Sequence, residues 1–201
     1  MQESVQIDEI GLRDRKKRRT RQAIRAAAIE LFTQQGVEAT TIEQIATAAD
    51  ISPRTFFNYF DTKQQAVSLP YGLRYDTSIP PVKLTKKTAG SPSAAWTAIS
   101  NACIGLAAAL EADETERATL IAGIRLCLRE PSLRDQASAQ RGQWEELMIG
   151  SIDSTLRNRV MVNAAAGAVW ACLTDWAESD GGGSLTGRVS DTLESLKPSV
   201  H

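Results

Sequence analysis

The chain has 201 residues, 42% of them hydrophobic and 23% charged, with a formal net charge of −1. That balance supports a packed core and excludes wholesale disorder, and the scarcity of aromatics suits close-packed helices better than sheets. The near-neutral total hides an asymmetry: residues 11–65 carry ten Lys/Arg against six Asp/Glu, and residues 66–201 carry thirteen against fifteen. A basic head on a slightly acidic body is the pattern of a protein whose head alone meets a polyanion.

Residues 1–12 read as a flexible tail. The chain then turns basic, with Arg13, Arg15, Lys16, Lys17, Arg18, Arg19, Arg21 and Arg25 close together. Ile24, Ala27, Ala28, Leu31 and Phe32 follow at helical spacing, and Gly36 is placed to end that helix. Thr40 with Glu43 three residues on reads as a capping box opening a second helix, whose inner face is Ile42, Ile45, Ala46 and Ala49. Asp50 falls at a turn that calls for a residue tolerant of a left-handed backbone. Ser52 followed by Pro53 is a strong start for a third helix, running to about Tyr59, and Asp61 with Gln64 opens a short fourth.

Residues 70–92, with Pro70, Pro80, Pro81 and Pro92, read as a linker or a long loop. Five helical stretches follow, at about 93–111, 113–130, 132–150, 154–179 and 185–197, the second opened by an Asp113–Glu116 capping box. No alternating strand pattern competes with them. The expected fold is therefore all-α: an N-terminal three-helix helix-turn-helix head over 13–69 and a C-terminal helical bundle over 93–201, about nine helices in all.

Two short helices joined by Ala49–Asp50–Ile51 are the arrangement that places a second helix in a major groove. On a helical wheel Phe56 and Phe60 point inward, while Arg54, Thr55 and Asn58 share the opposite side, flanked by Phe57 and Tyr59. Arg54 can donate two bonds to guanine, Asn58 can pair with adenine, and the Thr55 methyl can touch thymine. Thr41, Ser52, Tyr59 and Lys63 are placed for phosphates. The basic run before them reads as a clamp on the DNA backbone, or else as a solvated helix face.

The stretches Thr40-Thr41-Ile42-Glu43-Gln44-Ile45-Ala46 and Ala49-Asp50-Ile51-Ser52-Pro53-Arg54-Thr55-Phe56-Phe57-Asn58-Tyr59-Phe60, with Lys63 beyond them, closely resemble the TetR family of bacterial repressors. The lead-in Ala27-Ala28, Leu31-Phe32 and Gly36 agrees, so the resemblance covers about 55 residues. Asp50 stands where many members have glycine, and Phe57 stands where a tyrosine hydroxyl commonly meets a phosphate. The resemblance implies DNA contacts from Arg18, Arg19, Thr40, Thr41, Ser52, Pro53, Arg54, Thr55, Phe57, Asn58, Tyr59 and Lys63. It also implies a homodimer on a palindromic double-stranded operator, released when the body binds a small-molecule effector. An activator, or a regulator tuned by a protein partner, would use the same head.

Within the body, Ala164, Ala168, Ala171 and Cys172 are candidates for a dimer interface, since small residues let helices approach closely, although a monomer core would use them equally well. Trp96, Arg125, Trp144 and Met148 are candidates for an effector pocket, the effector being apolar or amphipathic by default. No cofactor or metal is expected. His201, at the very C-terminus, is the one histidine, and Cys103, Cys127 and Cys172 are far apart without zinc-site spacing, so they read as core thiols. Neither a catalytic dyad nor a phosphate-binding glycine loop is present, which argues against an enzyme. The apolar runs fall short of a membrane span and no signal-peptide core follows Met1, so a cytoplasmic protein without a membrane partner is expected.

Overall fold

A computed structural model describes residues 2–67, 91–112, 114–151 and 155–197, and it divides the chain into two compact units, Met1–Ser68 and Leu69–His201. Every regular element among the described residues is a helix, nine in all. The expected 70–92 linker, apart from the Pro92 end discussed below, lies outside the described residues, as do Asp113 of the anticipated capping box and His201.

The head holds four helices: α1 (Gln2–Gln35), α2 (Ile42–Ala48), α3 (Pro53–Phe57) and α4 (Lys63–Val67). The first helix begins at Gln2, ahead of the basic run, because no proline interrupts residues 2–35 and the segment taken as a tail continues the same helix. Ile24, Ala27, Ala28 and Phe32 are buried on one face of α1, which packs against α2, with its buried Ile45 and Ala46, and α4, with its buried Ala66 and Val67; α3, whose Phe56 is buried, packs on α2. Gly36, at φ +83°, ends α1, and its N–H still reaches the Phe32 carbonyl at 3.0 Å. Asp50 adopts φ +54° between α2 and α3, the left-handed turn its position called for.

Two caps sit one residue later than expected. Thr41, not Thr40, caps α2: its hydroxyl accepts the Gln44 N–H at 3.2 Å, and the Gln44 side chain accepts the Thr41 N–H at 2.9 Å. Thr40 is 1% exposed, and its hydroxyl donates to the Gly36 carbonyl at 2.8 Å. Of two adjacent threonines, the one facing the end of α1 is used by that helix and the other is left to cap. Ahead of α4, similarly, the Thr62 hydroxyl accepts from Gln65 N–H, and the Gln65 side chain accepts from Asp61 N–H at 2.8 Å.

The body is built from α5 (Pro92–Glu111), α6 (Glu114–Arg129), α7 (Pro131–Ser151), α8 (Leu156–Glu178) and α9 (Leu185–Ser195). Pro92 is not linker but the first residue of α5, with Ser91 as its cap, the same Ser-Pro start that opens α3. Helix α8 is the hub, packing against α5, α6, α7 and α9. By length and composition α5 and α8 could cross a membrane, yet the side chains of Ile99, Cys103, Leu106, Val162, Val169, Leu173 and Trp176 all enter one buried cluster of the body. The three cysteines are free and buried, and burial pushes the Cys103 thiol up to about 12.

Two polar devices close this bundle. At the end of α8, Asp180 and Gly181 both take positive φ, and the Gly181 N–H returns to the Trp176 carbonyl at 2.8 Å. Arginines from α6 hold the carbonyls this corner exposes: Arg125 donates to Ala177 at 3.0 Å and pairs with Asp180 at 3.1 Å, and Arg117 donates to Gly181 while lying over the Trp176 ring. The second device joins α5 to α9. The Glu111 carboxylate accepts from Leu185 N–H (3.1 Å), Thr186 N–H (3.0 Å), the Thr186 hydroxyl (2.6 Å) and the Ser184 hydroxyl (3.1 Å), satisfying N–H groups that the start of α9 would leave unpaired.

These donors, the Thr186 hydroxyl first, hold the Glu111 carboxyl below its ordinary pKa. A lowered folded pKa makes this contribution to stability full above the unfolded pKa and lost as pH falls through the folded one. Thermal melts of the wild type should therefore drop between about pH 5 and pH 3 more steeply than those of Glu111→Gln. Parallel curves for the two would show that the carboxylate charge at this cap contributes nothing.

Candidate nucleic-acid interface

Helix α3 is short because Ser52 and Pro53 fix its start and the chain leaves helical geometry after Phe57, with Asn58 as its C-cap. The Ser52 hydroxyl accepts the Thr55 N–H at 3.1 Å and lies 2.8 Å from the Thr55 hydroxyl, so Ser52 and Thr55 are tied to each other. Phe56 is 0% exposed and anchors the helix in the head core, with Phe60 half-buried 5.8 Å away. The opposite face carries Ser52, Pro53, Arg54, Phe57 and Asn58, all exposed. Arg54 and Asn58 stand one turn apart and share a side, as the wheel indicated.

The basic run divides into two parts. Arg13, Arg15, Lys16, Lys17, Arg18 and Arg19 are exposed along α1, a concentration of positive charge suited to a phosphate backbone. Arg21 and Arg25 are half-buried. Arg21 donates to the Tyr59 carbonyl at 3.3 Å and sits 4.9 Å from the centre of the Phe60 ring, so it fastens α1 to the end of α3.

Two residues expected at the DNA do other work. Thr40, buried as described, presents nothing to a ligand. Lys63 turns its ammonium inward, where it donates to the carbonyls of Val37 (2.6 Å), Glu38 (3.3 Å) and Thr40 (2.8 Å). All three protons of that group are thereby used on the turn between α1 and α2. Tyr59 is half-buried and Thr41 exposed, with the Thr41 hydroxyl already engaged as the α2 cap.

In the body, Trp96, Trp144 and Met148 are buried members of the core cluster, and Arg125 is committed to the α8 corner. Of the four interface candidates, Ala164 and Ala171 face outward on α8, whereas Ala168 and Cys172 face the core. The Cys172 thiol lies 3.3 Å from the Thr192 hydroxyl of α9, within the same chain. The outward stripe on α8 also includes Leu156, 77% exposed, Val160, 60% exposed, and Gly167. Small size alone did not separate these two faces.

Residues 24–67 match the family of bacterial regulatory proteins, tetR family. Over 124 residues the chain is 37% identical to the HTH-type transcriptional regulator TcmR of Streptomyces glaucescens, a match covering 61% of this chain and 54% of the relative. The chain thus spans about half the length of that curated relative. In fold it is similar to the fatty acid degradation regulator FadR of Bacillus halodurans, with a TM-score of 0.55 at 18% identity, covering 90% of this chain and 96% of that one. It is also similar to NalD of Pseudomonas aeruginosa, described as the secondary repressor of the MexAB-OprM multidrug efflux pump, with a TM-score of 0.52 at 23% identity, covering 88% and 94% of the two chains.

Proposed function

We propose that the chain is a member of the tetR family of bacterial regulatory proteins, a cytoplasmic repressor whose head reads a palindromic operator and whose body releases the DNA on binding a small apolar or amphipathic effector. The observation that carries this reading is the outward face of α3, where Arg54 and Asn58 stand exposed on a helix held rigidly from behind by Phe56. Those two side chains have the donors and acceptors that distinguish guanine and adenine at the floor of a major groove. Arg18 and Arg19, with the exposed cations before them, supply the sequence-independent attraction to phosphate.

A palindrome requires two heads related by a two-fold axis, with reading helices ~34–36 Å apart or a multiple of that spacing. We assign the interface to the outward stripe of α8, Leu156, Val160, Ala164, Gly167 and Ala171, because exposed apolar side chains gain most from being covered by a second copy. The effector reading has weaker support. FadR regulates fatty acid degradation and NalD represses a multidrug efflux pump, both of which suggest apolar compounds, and Trp96, Trp144 and Met148 line the core where such a molecule would displace them. Fluorescence anisotropy of the full chain on duplex DNA, repeated with a panel of apolar and amphipathic compounds, tests both halves. Release by one compound supports the switch, and selective binding that no compound weakens removes the effector from the account.

The basic run gives a separate expectation. Deleting residues 1–17 removes four exposed cations, Arg13, Arg15, Lys16 and Lys17. The slope of log affinity against log salt should flatten by about 2 to 4, since each neutralised phosphate contributes about 0.9. An unchanged slope in the titration would show that this part of α1 never meets the backbone.

A further inference from the structure

The exposed face of α3 is chemically divided along its length. Arg54 and Asn58, four residues apart, form one edge, and Pro53 and Phe57, also four apart, form the other. The first edge is polar and the second has no hydrogen-bonding side chain. Phe57 is 55% exposed, and among head residues whose side chains are described it is the one large hydrophobic group left in solvent. Its ring stands edge-on against Phe56, with centroids 5.7 Å apart and planes at 85°. Phe56 is fully buried, so the exposed ring is supported by a fixed neighbour.

An exposed phenyl ring beside an arginine and an asparagine has one complementary feature on the floor of a major groove, the 5-methyl group of thymine. We propose that Phe57 is a specificity-determining residue that covers a thymine methyl, with Pro53 extending the apolar edge, next to the base read by Arg54. The phenyl side chain cannot bond a phosphate, so it adds selectivity where a hydroxyl at the same place would add position. The inference rests on the reading of α3 as the operator-reading helix.

The test begins with an operator obtained by selection from random duplex DNA using the full chain. Each thymine is then replaced in turn by deoxyuridine, which removes the methyl and nothing else. At one position in each half-site the wild type should lose about fourfold in affinity for each methyl removed, with other positions unaffected. Phe57→Ala should bind thymine and deoxyuridine equally at that position, and Phe57→Leu should keep part of the discrimination. Melting curves of both variants, followed by circular dichroism, establish that they are folded; should Phe57→Ala not fold, the Phe57→Leu duplex series carries the comparison. A wild type indifferent to every substitution overturns the proposal, as does a Phe57→Ala protein that discriminates like the wild type and so assigns the methyl to another residue. Failure of the selection to enrich any sequence overturns the operator reading itself, a result distinct from either of those.

Discussion

Arg54→Ala is expected to weaken binding to a selected operator by about 1–3 kcal/mol for each half-site, between roughly fivefold and 150-fold, and to blur the preference at one base pair. The guanidinium is exposed on α3, and among the described residues it makes no hydrogen bond or ion pair within the chain, so its removal leaves no partner stranded. The loss should therefore appear in DNA binding and not in folding. Thermal melts of the variant should overlay those of the wild type, since substitutions away from packed or bonded sites usually stay within about 0.5 kcal/mol. Its salt slope should change by no more than about 1, because base readout does not release the counterions that the α1 cations release. If Arg54→Ala binds operator and random DNA with the wild-type ratio, α3 is not the reading helix.

Lys63→Met has the largest expected effect on stability. Its ammonium donates to three carbonyls at the turn between α1 and α2, two of them at 2.6 and 2.8 Å. Bonds to a charged donor are each worth more than neutral ones, about 1.5–3 kcal/mol. Because the group is partly exposed and water can replace some of them, a net loss of about 2–3 kcal/mol is expected for the set. Methionine keeps the aliphatic stem, so the change isolates the charge. Hydrogen exchange should show earlier opening of amides in α1, α2 and α4 while the body amides keep their protection. Unaltered protection in the head would mean that these three bonds contribute nothing net. The same experiment separates the position observed for Lys63 from the phosphate contact expected of it, because a phosphate contact would leave the stability of the unbound head unchanged.

Much of the fold was legible because its signals are local. Ser52-Pro53, Gly36 and Asp50 each act through their own backbone, and each does what its chemistry requires: a helix start, a helix stop and a left-handed turn. The body helices were legible for the same reason, with Pro131 and the Gly181–Gly183 stretch marking helix ends. What was not legible depended on partners outside the helix being read. Thr40 and Thr41 have equal capping chemistry, and the choice between them is made by the Gly36 carbonyl at the end of α1. Lys63 carries a charge that a phosphate would welcome, yet carbonyls 23 to 26 residues earlier take it first. Arg125 reads as a candidate for the effector pocket until α8 and its corner bring Ala177 and Asp180 to it.

The division of α8 into two faces is a further case. Ala164, Ala168, Ala171 and Cys172 look alike in the sequence because each is small, and the 3.6-residue period puts two of them inside and two outside. Knowing which side meets α5, α6, α7 and α9 required the packed bundle. On the outward face of α3 the wheel placed Arg54, Asn58 and Phe57 correctly outside, since a helix anchored by Phe56 leaves its opposite side no other choice.

The central claim is that this chain, as a pair of heads, reads DNA sequence. Selection from random duplexes with the purified full chain, followed by sequencing of the bound fraction, tests it most directly. The account predicts enrichment of a palindrome whose half-sites are centred about 10–10.5 base pairs apart, or a multiple of that spacing, with a thymine beside the base read by Arg54. Enrichment of no motif, with affinity that follows charge and salt alone, would contradict it.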